Sequence, residues 1–61
     1  MLFIYKEYLL QTQVSKKAIQ VDVWRNNRYV GWNWGFDSHE AAIAWVKTIL
    51  DRGEYWELIP F

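Results

Sequence analysis

Apolar and polar residues alternate most regularly on either side of Asn26-Asn27. Asparagine tolerates the left-handed backbone that a two-residue type I′ turn requires at both central positions. With that turn fixed, Arg25 pairs with Arg28, Trp24 with Tyr29, Val23 with Val30, Val21 with Trp32 and Ile19 with Trp34. One face of the predicted hairpin then carries Ile19, Val21, Val23, Val30, Trp32 and Trp34. The other carries Gln20, Asp22, Trp24, Tyr29, Gly31 and Asn33.

Upstream, Leu2 to Gln13 reads as one strand, turned back near Ser15-Lys16 onto Ala18 to Arg25. In the simplest register Tyr8 and Leu10 join the core face opposite Val23 and Val21, with Glu7 and Leu9 on the outer face. Downstream, Asp37 as N-cap with Glu40 three residues on predicts a helix start. The helix runs to about Asp51 or Arg52, with Gly53 as its left-handed stop. Ala42, Trp45, Val46 and Ile49 form its apolar stripe, widened by Ala41, Ile43 and Leu50. Tyr55 to Ile59 reads as a short final edge strand, since Pro60 cannot donate to a ladder. The expected fold is α+β: a small antiparallel sheet in the order β-β-β-α-β with one helix packed across one face. Trp32, Trp34 and Trp45 are expected to meet between the layers.

Composition narrows the possibilities. A chain of 61 residues is expected to form one small domain, 1–61, near the lower limit for an unaided hydrophobic core. It has no cysteine, so neither a disulfide framework nor a zinc knuckle is available. Lys6 and Glu7 interrupt the apolar start after five residues, which fits neither a signal peptide nor a membrane span. The expectation is a cytoplasmic protein without membrane contact. Seven basic residues balance seven acidic ones, which disfavours a protein devoted to neutralising phosphates.

Little in the sequence suggests catalysis. Ser15 and Ser38 have no base and orienting acid near them, and His39, the one histidine, reads as solvated at the helix start. A metal site needs several converging ligands, and capping already accounts for Asp37 and Glu40. No glycine-rich phosphate loop is present. The expectation is a non-enzymatic protein with no cofactor and no metal.

Two binding classes remain. The outer face, with Trp24 and Asn33, could stack bases, with Lys6, Arg25 and Arg28 gathered at one end to meet phosphate. The stretch Val30-Gly31-Trp32, then Gly35-Phe36-Asp37-Ser38 and Glu40-Ala41-Ala42, resembles the strand-to-helix junction of AP2-type and integrase amino-terminal domains. That resemblance implies a three-stranded sheet laid in the major groove of DNA. The chain departs from it by its C-terminal strand and its lack of excess basic residues, and Asp22 and Glu7 would repel phosphate.

The leading expectation rests instead on surplus aromatics, which make up 20% of the chain. Trp24 and Tyr29 face each other on the outer surface, Leu9 adjoins them, and the tail carries Trp56 and Phe61. These residues exceed what so small a core can bury, and exposed apolar patches mark interfaces. The sequence therefore predicts a protein-interaction module of adaptor or inhibitor type, or one that self-associates, with a homodimer as its commonest form.

Overall fold

The computed structural model describes residues 1–60. Four strands form one antiparallel meander: β1 (Leu2–Tyr5), β2 (Tyr8–Ser15), β3 (Ala18–Arg25) and β4 (Arg28–Phe36), in spatial order β1-β2-β3-β4. A helix, α1 (His39–Arg52), packs across one face. A 3-10 turn at Tyr55–Glu57 follows it. The α+β class and the single helix over an antiparallel sheet are as the periodicity predicts.

Two elements differ from the expected order. The N-terminal stretch is a hairpin of two strands, folded at Lys6-Glu7, where Lys6 has φ of 55°. The C-terminal stretch forms the 3-10 turn, and among the described residues only Ile59 of that stretch pairs with the sheet through its backbone, exchanging both hydrogen bonds with Trp32 at 2.8 and 3.0 Å.

The register of β3 with β4 begins as predicted, with Arg25 opposite Arg28 and Trp24 opposite Tyr29. Then Val23 faces Gly31, which leaves Val30 as an extra residue on β4. A second slip between Gln20–Trp34 and Ile19–Phe36 leaves Gly35 unpaired, at φ of 106°. Each bulge inverts the alternation downstream of it. Trp32 and Trp34 therefore lie with Asp22 and Gln20 on the outer face, not in the core, and the second slip returns Phe36 to the helix side. There Phe36 meets Trp45, ring centres 5.3 Å apart. Asn33 likewise moves from its expected outer place to the helix side, opposite Val21, and its amide donates to the Glu57 carbonyl.

The β2–β3 register is displaced by two residues from the simplest expectation: Leu10 faces Val23, Thr12 faces Val21 and Tyr8 faces Arg25. An even displacement preserves the faces, so Tyr8 and Leu10 stay in the core and Leu9 stays out. Leu10, Val21, Val23 and Val46 form the fully buried centre, joined by Ala42 and Ile49 from the helix. The N-cap is Ser38, one residue after the expected Asp37: its Oγ accepts from the Ala41 N–H at 3.0 Å. Gly53 stops the helix as predicted, with φ of 70° and the Glu54 N–H donating to the Ile49 carbonyl at 2.8 Å.

Candidate functional site

The sheet has a covered face and an open one, and the open face collects most of the aromatic surplus. Trp24 and Tyr29 stand across the β3–β4 hairpin as expected, edge to face, with ring centres 5.2 Å apart. The first bulge, at Val30, turns Trp32 and Trp34 onto the same face. Trp34 is 44% exposed, and its indole N–H reaches the Ser15 carbonyl at 2.7 Å. That bond anchors the ring toward the β2–β3 turn. At the β1 end, Leu2, Ile4 and Leu9 extend the face with 65%, 75% and 37% exposure.

Polar groups occupy the centre. Asp22 is buried although no helix covers it. Its carboxylate accepts from the Tyr29 hydroxyl at 2.5 Å and from the Gln20 amide at 3.2 Å. Burial, then the hydrogen bond to Asp22, then the negative charge on that carboxylate raise the Tyr29 pKa. Gln11, Gln13, Gln20, Asp22, Trp24 and Tyr29 line a shallow hollow of about 550 Å³. The face thus combines an aromatic rim with a fixed hydrogen-bonded centre.

The other candidate residues are dispersed. Lys6 lies at the helix end, 2.8 Å from Asp51. The Lys6 ammonium, then the Tyr5 hydroxyl, hold the Asp51 carboxyl below its usual range. Arg25 pairs with Glu7 at 3.0 Å. Arg28 is exposed at the closing end of its hairpin. These cations and Asn33 do not gather on the face that carries Trp24. Trp56 is 76% exposed on the 3-10 turn, while Leu58 two residues later is buried. Phe61 lies outside the described residues.

His39 departs from its expected solvated state. It is half-buried, with Nδ1 2.6 Å from the hydroxyl of the buried Thr12. Among the described residues no cluster of three His, Asp or Glu side chains could hold a metal ion. No described helix is long and apolar enough to cross a membrane. Sequence reasoning missed Trp32 and Trp34 as surface residues, because the inserted residue that turns them outward is Val30, whose type marks no bulge; Gly35, a residue that often marks a bulge inside a strand, signals only the second slip, after Trp34. No protein-family model, curated protein or solved structure matches this chain.

Proposed function

We propose that this chain is a small non-enzymatic protein-interaction module whose outer sheet face is the contact surface. The observation that carries the proposal is the concentration of Trp24, Tyr29, Trp32 and Trp34, with Leu2, Ile4 and Leu9, on a face that no layer covers. Exposed aromatic and aliphatic side chains gathered on one face favour a partner, and tryptophan and tyrosine contribute most per residue at interfaces. An adaptor, an inhibitor and a self-associating protein would all use such a face. The cytoplasm is its proposed setting, because a chain without cysteine has no disulfide to protect.

Nucleic acid has less support as a partner. Arg25 and Lys6 are spent on Glu7 and Asp51, Asn33 faces the helix side, and Asp22 sits at the centre of the aromatic face. A carboxylate there repels phosphate.

The test is capture of partners from native lysate by the intact chain, followed by affinity measurement with the purified partner. Trp24→Ala combined with Trp34→Ala should keep the far-ultraviolet circular dichroism and weaken binding at least about tenfold. Unchanged affinity would remove the face from consideration. Recovery of DNA or RNA in a salt-sensitive complex would replace the proposal with the nucleic-acid alternative.

A further inference from the structure

The two edges of the sheet are treated differently. Along β4, Trp32 exchanges two backbone bonds with Ile59, and Asn33 donates to Glu57, so the C-terminal segment lies against that edge. No strand lies beyond β1 in the sheet. Met1 and Thr12 exchange backbone bonds, each at 2.8 Å. Bonded pairs alternate along an antiparallel ladder. Met1, Phe3 and Tyr5 therefore bond inward to β2, and Leu2 and Ile4 direct their N–H and C=O groups outward from the edge. Strands so placed are ordinarily guarded by shortness, a proline, a bulge or a charge, and β1 has the first of these, at four residues. Leu2–Tyr5 has no proline, bulge or charge, and its two outward residues are exposed Leu and Ile.

We infer that β1 is a self-pairing edge, occupied by β1 of a second copy of this chain about a two-fold axis through Phe3. On that axis Leu2 of each copy lies opposite Ile4 of the other. Both residues bond outward, so the two pairs make four N–H···O=C bonds. A shift by one residue sets outward groups against inward ones and loses all four. A shift by two leaves one bonded pair within the strand. Self-complementarity thus selects one register, as an isologous interface requires. Leu2–Tyr5 carries no charge, and the cations that flank it are both held within the chain, the Met1 ammonium by the Thr12 carbonyl and Lys6 by Asp51. Lys47 lies over the Phe3 and Tyr5 rings on the helix side, off the line of outward backbone groups. The product is one eight-stranded sheet, with Leu2, Ile4 and Leu9 of both copies forming an apolar band across the middle of its outer face.

This pairing does not rest on the outer face as a partner surface, and the variants separate the two. Sedimentation velocity of the full chain, from micromolar to millimolar concentration, should show the mass rising toward twice 7.4 kDa. Ile4→Pro removes an outward N–H and leaves the inward ladder whole, which an edge strand tolerates. It should raise the dimer dissociation constant at least about tenfold, while Trp34→Ala dimerises like the unaltered chain. Amide exchange of the unaltered chain gives a second readout: Leu2 and Ile4 should slow as concentration rises, with Phe3 unaffected. A chain that stays monomeric to millimolar concentration overturns the inference. So does Ile4→Pro that dimerises normally, or Leu2 and Ile4 amides that exchange fast at every concentration. Where Ile4→Pro loses its circular dichroism, the exchange pattern of the unaltered chain decides.

Discussion

A Cβ built at Gly31 would stand 2.9 Å from both the Ile59 carbonyl oxygen and the Leu58 Cβ. Neither the Ile59 backbone nor the base of a buried side chain gives way easily. Gly31→Ala should therefore cost about 1–3 kcal/mol, as overpacking does. The expected result is a lower urea midpoint together with faster exchange of the Ile59 amide; an unchanged midpoint would mean the segment shifts freely. Two tyrosines set the alkaline limit. Burial, and then donation to the Tyr55 hydroxyl, push Tyr8 up to about 12 from its ordinary 10.0, and Tyr29 is raised as well. The folded state thus holds these protons more tightly than the unfolded chain does. The Tyr8 contribution is complete below pH 10.0 and is lost as pH climbs through about 12, and that of Tyr29 is lost in the same alkaline direction. The urea midpoint should stay level to about pH 10 and then fall, and Tyr8→Phe should remove part of the decline. At this scale the sequence was informative where facing depends on parity alone, as for Tyr8, Leu9, Leu10, Trp24 and Tyr29. It was silent on Tyr8–Tyr55 and Thr12–His39, because both contacts join residues far apart in the chain.

The turns show why elements were harder to read than faces. Asn26 and Asn27 have φ of 52° and 63°, both positive as a type I′ turn requires, and their identity announces it. Lys16 and Lys17 adopt φ of 51° and 67° in the β2–β3 turn, yet neither residue favours that region. Lysines there fix the turn's position only through the flanking apolar alternation. Lys6-Glu7 is still less legible, with no Gly, Asn, Asp or Pro to mark it, so one apparent strand hid a hairpin. The substitutions Lys16→Asn and Lys17→Gly should relieve about 1–2 kcal/mol of backbone strain. For a domain this size that raises the melting temperature by roughly 4–8 °C per kcal/mol. A melting temperature that did not move would show that the loop gains as much from its lysines as their backbones lose. The β4 bulges belong here too. Strict alternation from Asn26-Asn27 held for two pairs and then failed at Val30, where nothing in the residue type signals an inserted position. Gly35 marks only the second bulge, the one that returns Phe36 to the helix side, and Gly35→Ala tests that position. Nothing lies within 4 Å of the added methyl, so its cost is conformational, about 1–3 kcal/mol.

Over the whole molecule, the aromatic surplus is distributed by the limits of a two-layer fold. One helix covers one face, and the core beneath it is built from aliphatic side chains and Tyr8, with Phe3, Tyr5, Phe36 and Trp45 at its margin. Three of the five tryptophans lie on the face the helix cannot reach. A core this small supplies only about 3–5 kcal/mol of net stability, so each buried residue outside the sheet and helix matters disproportionately. Leu58 is one: it is 3% exposed, it follows the 3-10 turn, and it draws the C-terminal segment onto the β4 edge through the Ile59–Trp32 bonds. Leu58→Ala removes buried apolar volume at a cost of about 2–5 kcal/mol. That is comparable to the stability of the entire fold. The same change loosens the cover of the second sheet edge, leaving a strand free to pair indiscriminately. The expected outcome is a melting temperature lower by at least about 10 °C, with light scattering that rises with concentration as the β4 edge opens. A Leu58→Ala chain that melted within a few degrees of the unaltered one, and stayed clear, would show that sheet and helix are sufficient without the segment that closes them.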